Sequence, residues 1–136
     1  MTFLDTNILV YSVDGKNPAK QVRARKVVID AIKGGDYLIS SQILNEFSNV
    51  ALLKLQMTVL EVRKFVSMFK RINVVSLDSE WTEQALDIKG RYGIQFFDAL
   101  IVAAAEANGC DEIFTEDLSD GQIYCGIKAV NPFKEF

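Results

Sequence analysis

The sequence predicts an α/β fold of three layers, with helices on both faces of a central, mainly parallel five-stranded sheet. Short strand-like runs alternate with helical stretches of ten or more residues, the pattern of right-handed βαβ units. The stretch Phe97 to Ala107 reads as a helix that is apolar almost all round, so it belongs between layers rather than on a surface. Hydrophobic residues make up 49% of 136 residues, and mean hydropathy is +0.13. That is core enough for a single domain spanning residues 1–136 without staples.

Taken in order, Thr2 to Leu4 is a very short strand ending at Asp5, followed by a turn of helix through Ile8, Leu9 and Tyr11. Asp14 to Pro18 is a loop, broken by Gly15 and Pro18. Ala19 to Lys33 is helical, with Val22, Val27, Ile29 and Ile32 as its apolar stripe, and Gly34-Gly35 stops it. Tyr37 to Ile39 is the second strand. Ser40 or Ser41 then caps a helix running to about Leu55. Thr58 and Glu61 have the spacing of a capping box for a helix to about Lys70. Asn73 to Leu77 is the third strand, and Asp78 or Ser79 begins a helix that ends near Gly93. After the buried helix and Gly109, Glu112 to Thr115 is the fourth strand and Ile127 to Val130 the fifth.

Composition excludes several chemistries. The chain has no histidine, so Ser-His and Cys-His nucleophile pairs and His-ligated zinc are out. Cys110 and Cys125 are too few for a four-thiolate site or a disulfide framework. The net charge of −3, from 18 acids against 15 bases, argues against a protein that coats polyanions generally. It leaves room for an enzyme that holds phosphates through bound cations. The opening residues lack a basic segment and a long apolar run, no stretch reaches membrane-spanning length, and a cytoplasmic setting is expected.

Most acids sit among polar neighbours, but four do not. Asp5 ends the first strand, where open parallel sheets gather ligands, and where an aspartate also caps helices. Glu46 shares a helical face with Ile43, Val50 and Leu53, a setting that costs stability unless something satisfies it or the side chain reaches water. Asp98 heads the buried helix, on a face with Ile101, Val102 and Ala105; it also complements the helix dipole. Asp117 follows the fourth strand, beside the Thr115 hydroxyl and ahead of a polar turn at Asp120-Gly121. The first and fourth strands are expected side by side at the topological switch, with the helices bearing Glu46 and Asp98 starting from the same edge. Four carboxylates meeting there repel one another unless divalent cations such as Mg²⁺ or Mn²⁺ are bound. That chemistry works without histidine.

Four segments in this order, Leu4-Asp5-Thr6-Asn7-Ile8-Leu9, Ser41-Gln42-Ile43-Leu44-Asn45-Glu46-Phe47, Phe97-Asp98-Ala99-Leu100-Ile101-Val102, and Thr115-Glu116-Asp117-Leu118, resemble a PIN-domain ribonuclease. Length and motif order are similar to VapC-type toxins of prokaryotic toxin–antitoxin pairs. The resemblance implies a PIN-like, Rossmann-like domain and a metal-dependent endoribonuclease. Carried over by position, Asp5, Glu46, Asp98 and Asp117 are the catalytic, metal-binding quartet for Mg²⁺, with Mn²⁺ as a substitute. Thr6, Asn7, Thr115 and Glu116 are then outer-shell groups, with Glu116 and Asp120 both open as extra ligands. It further implies an RNA substrate, a homodimer and a small antitoxin protein that blocks the site.

Other features are less specific. Lys16, Lys20, Arg23, Arg25, Lys26 and Lys54 can guide a phosphate backbone or form a solvated face. Trp81 and Tyr92 can stack on bases or simply pack. The apolar excess from Phe47 to Phe69 fits a groove, a dimer face or core. A PIN-like binding module without turnover is the alternative reading. A phosphoaspartate protein is disfavoured, because Phe3-Leu4-Asp5-Thr6 lacks paired acids and Asn7 stands where a phosphatase needs a second one.

Overall fold

The computed structural model describes residues 1–134. Its strands are β1 (Thr2–Leu4), β2 (Tyr37–Ser40), β3 (Asn73–Val75), β4 (Glu112–Phe114), β5 (Ile123–Tyr124) and β6 (Ile127–Val130). The helices are α1 (Thr6–Val13), α2 (Pro18–Ile32), α3 (Ser41–Leu53), α4 (Val59–Phe69), α5 (Glu80–Tyr92) and α6 (Phe96–Ala107). One six-stranded sheet has the order β3-β2-β1-β4-β6-β5, with every pair parallel except β5 with β6. The expected α/β architecture is therefore present, with six strands in place of five.

The extra strand is β5, two residues long and too short to show any alternation. It folds back on β6 through Cys125 and Gly126, with φ of 51° and 80°. Two successive positive φ values are the geometry whose twist suits a tight hairpin.

The order of the sheet sets the position of the functional edge. The chain moves outward from β1 through β2 to β3, then returns to lay β4 against the other side of β1. Leu4 is in register with Phe114, so Asp5 and Thr115 leave the sheet together at its carboxyl end. The Asp5 amide donates to the Phe114 carbonyl at 3.0 Å, which extends the ladder one step beyond β1. Right-handed crossovers in opposite directions place helices on opposite faces. The contacts follow that division: α1 packs on α2 and α3, and α3 on α4, while α5 and α6 pack on each other.

The core is continuous through both layers. Phe3, Leu4, Ile8, Leu9, Ile39, Ile43, Phe47, Val102 and Ile113 are fully buried. As expected for its all-round apolar sequence, α6 is buried from Ala99 through Ala105. Phe47 of α3 meets Phe69 of α4 edge-on, with ring centroids 4.8 Å apart.

Several boundaries differ from expectation for local reasons. Helix α1 is a full helix and not a single turn, capped by Asp5. Pro18 opens α2 instead of ending the loop, because proline suits the first helical position and Asn17 caps it. In α2, Val22 and Ile29 are exposed, and the buried stripe runs through Ala24, Val27, Val28 and Ala31. The Thr58–Glu61 capping box is formed as its spacing predicts.

Candidate metal centre

Asp5 is placed by two structural roles at once. It caps α1, accepting from the Thr6 amide through Oδ1 at 2.6 Å, and it lies 4% exposed at the end of β1. Its other oxygen, Oδ2, accepts from the Thr115 hydroxyl at 2.6 Å. The capping and functional readings of this residue are thus compatible, since capping uses one carboxylate oxygen.

Asp98, in the first turn of α6, and Asp117, in the turn after β4, come to the same place. Carboxylate oxygens of Asp5, Asp98 and Asp117 all lie within 4.8 Å of one another, a spacing at which they can share a cation. Asp5 is buried, Asp98 half-buried and Asp117 exposed, so the group runs from the sheet edge outward to solvent. Asp98 and Asp117 open onto a cleft of roughly 430 Å³, which Gly93, Ile94, Gln95 and Leu118 also line.

Glu46 stands beside this group. It is half-buried on α3, and its Oε1 accepts from the Thr6 hydroxyl at 2.8 Å and from the Gln42 amide at 3.3 Å. Of its expected neighbours on that face, Ile43 is buried, but Leu53 is 70% exposed.

The electrostatics are those of crowded acids. Burial pushes the Asp5 carboxyl from 3.8 up to about 7, against the lowering effect of the Thr115 hydroxyl, with the Asp117 charge adding to the rise. Asp98 is raised to about 6, first by burial and then by the Asp117 and Glu46 charges. Among the described residues, the four ion pairs engage other acids, namely Asp36, Asp111, Glu116 and Asp120. The donor set is all carboxylate oxygen, the chemistry that hard divalent cations prefer, so the residues present fit such an ion.

Of the four polar residues expected around the quartet, Thr6, Asn7 and Thr115 touch its acids and Glu116 does not. Thr6 holds Glu46, Thr115 holds Asp5, and Asn7 donates from Nδ2 to Asp117 Oδ2 at 3.2 Å. The Thr115 hydroxyl also accepts from the Asp117 amide at 3.1 Å, tying the turn to the strand end. Glu116 is engaged elsewhere. It accepts from the Tyr11 hydroxyl and pairs with Lys20 Nζ at 2.9 Å. Asp120 accepts from the Asn131 amide at 2.7 Å and from Lys134 at 3.2 Å.

Other candidate contacts fall into structural places. Arg23 donates to the Pro132 carbonyl and Arg25 to the Ser12 carbonyl, so both brace α2. Trp81 is buried, and the Tyr92 hydroxyl accepts from the Cys125 amide in the hairpin. The residue that motif reading passed over is Gln42. It is buried on α3 one turn before Glu46, a position whose polarity was the available signal.

A toxin–antitoxin complex from Klebsiella pneumoniae has 20% identity and a TM-score of 0.72, over 97% of this chain and 98% of that one. VapC20 of Mycobacterium tuberculosis, described as a sarcin-ricin loop cleaving toxin, has 17% identity and a TM-score of 0.69, over 86% and 92%. DNA-bound VapBC from Salmonella typhimurium has 22% identity and a TM-score of 0.65, over 94% and 95%. No curated protein matches the sequence. These structures share the fold, while the family profile of the PIN domain matches residues 2–119. A match over that length, across all four acidic positions, means that the chain belongs to the PIN domain family.

Proposed function

We propose that this protein is a metal-dependent endoribonuclease, the toxin of a type II toxin–antitoxin pair. The observation that carries the reading is the convergence of Asp5, Asp98 and Asp117 at the carboxyl edge of the sheet, with Glu46 adjacent. Asp5, Asp98 and Asp117 would hold Mg²⁺ or Mn²⁺ directly, and Glu46 would complete the set. When bound, the cation supplies charge neutralisation at a phosphodiester and lowers the pKa of water. The chain's own contribution is positioning. Thr115 and the Thr6 amide fix the two oxygens of Asp5, Asn7 steers Asp117, and Thr6 steers Glu46.

A polyanionic substrate is supported by Lys128, in a second cavity of about 430 Å³ beside the end of β4 that Arg23 and Lys134 also line while bonded to Pro132 and Asp120. An antitoxin partner is supported by the toxin–antitoxin complexes among the structural neighbours. An apolar groove lined by Val13, Val28, Ile29, Ile32, Phe65 and Met68 is consistent with a protein ligand. Exposed Leu53, Val59 and Leu60 on α3 and α4 are consistent with a homodimer. Cys110 and Cys125 are free thiols, in keeping with a cytoplasmic setting. Among the described residues, no helix is long and apolar enough to cross a membrane.

The test is cleavage of end-labelled structured RNA by purified protein with Mg²⁺, with Mn²⁺ and with a chelator, beside Asp98→Asn. Cleavage that needs the metal and disappears in the variant supports the reading. Equal cleavage by the variant, or none with either metal, overturns it.

A further inference from the structure

Gln42 is 6% exposed on the turn of α3 that precedes Glu46. Its Nε2 donates to Glu46 Oε1 at 3.3 Å and reaches the Phe97 carbonyl, the residue before Asp98, at 3.5 Å. One amide group therefore touches both the α3 carboxylate and the N-terminal turn of α6. Its own oxygen, Oε1, is buried with no hydrogen-bond partner among the described residues. A buried acceptor left unsatisfied is destabilising, so an apolar side chain of the same shape would serve packing better. That expense is intelligible where the Nε2 donor does something an apolar residue cannot.

The Thr6 hydroxyl, arriving from α1, donates to the same Glu46 oxygen at 2.8 Å. Two donors from different helices on one oxygen fix the carboxylate plane and leave its other oxygen for a cation. We propose that Gln42 is a positioning residue of the metal centre: with Thr6 it clamps Glu46 Oε1, so that Glu46 presents Oε2 to the cation. The proposal rests on the reading of this centre as a cation site. Gln42 itself does not ligate the ion; it acts through Glu46.

The test is Mn²⁺ affinity by isothermal titration calorimetry, paired with thermal unfolding in chelator, for wild type, Gln42→Met, Gln42→Leu, Glu46→Gln and the double variant Gln42→Met with Glu46→Gln. Gln42→Met is expected to weaken Mn²⁺ binding about tenfold, with a melting temperature equal to or above that of wild type. In the Glu46→Gln background, Gln42→Met is expected to add no further loss, because its effect runs through Glu46. Mn²⁺ affinity within twofold of wild type in Gln42→Met overturns the proposal, as does a full further loss in the double variant. Melting temperatures lowered in both Gln42→Met and Gln42→Leu also overturn it, since Gln42 would then be a structural brace. Absence of Mn²⁺ binding by wild type overturns the metal centre as a whole, which is a distinct result from unchanged affinity in the variant.

Discussion

The Thr115 hydroxyl donates to Oδ2 of Asp5 over 2.6 Å, joining the ends of two adjacent parallel strands across 110 residues of sequence. This bond lowers the Asp5 pKa against the effect of burial. Thr115→Val removes the donor and leaves a buried carboxylate oxygen unsatisfied, which costs about 1–3 kcal/mol when the group is charged. The variant is expected to melt below wild type at pH 8 in chelator, and to differ less at pH 5, where Asp5 carries its proton. Thermal unfolding at the two pH values checks this.

The metal-free protein is expected to lose stability as pH rises. Asp5 moves from 3.8 to about 7 on folding. Below about pH 4 it is protonated in both states and contributes nothing. Between there and pH 7 the unfolded chain releases the proton while the folded chain keeps it, so stability falls, and the full penalty is present above pH 7. Its size is on the order of 4 kcal/mol. Asp98, raised to about 6, adds to the lower part of the window. In chelator, melting at pH 5 is expected above melting at pH 8, with Asp5→Asn flattening the profile. Mn²⁺ is expected to raise the melting temperature more at pH 8 than at pH 5. A flat wild-type profile would contradict the crowding.

Glu116 and Asp117 are neighbours with separate fates. Asn7 holds Asp117 at the acidic group, while Tyr11 and Lys20 hold Glu116. Asp117→Asn is expected to reduce RNA cleavage by at least about 100-fold, and Glu116→Gln by less than roughly tenfold, the lower end of outer-shell effects. Single-turnover cleavage rates under saturating Mg²⁺ separate the two.

The β5–β6 hairpin is expected to matter for stability alone. Gly126 has a φ of 80°, where a side chain is strained. Gly126→Ala is expected to cost about 1 kcal/mol with unchanged cleavage, as read by denaturant unfolding and RNA assay together.

The legible parts of this fold were those with strong local signals. The Thr58–Glu61 box, the apolar helix ahead of Gly109 and the strand–acid junction at Asp5 each combine residue type with spacing, and each has its expected place. Strand β5 was illegible because two residues, Ile123 and Tyr124, carry no period; their pairing depends on positive φ values at Cys125 and Gly126. The exposure of Val22 was equally hidden, because α2 buries the smaller Ala24 and Ala31 instead. At the acidic edge, the sequence pointed to the acids and to Thr6, Asn7 and Thr115, since each lies in or beside a motif. It did not point to Gln42, whose i,i+4 contact with Glu46 gains a second partner, the Phe97 carbonyl, only where α3 meets the start of α6.

Anomalous diffraction from crystals grown with Mn²⁺ tests the central claim most directly. The account predicts a peak at bonding distance from carboxylate oxygens of Asp5, Asp98 and Asp117, with Glu46 facing it, and no such peak in Asp98→Asn. A peak at a different acidic group, or none at the edge shared by β1 and β4, would contradict it.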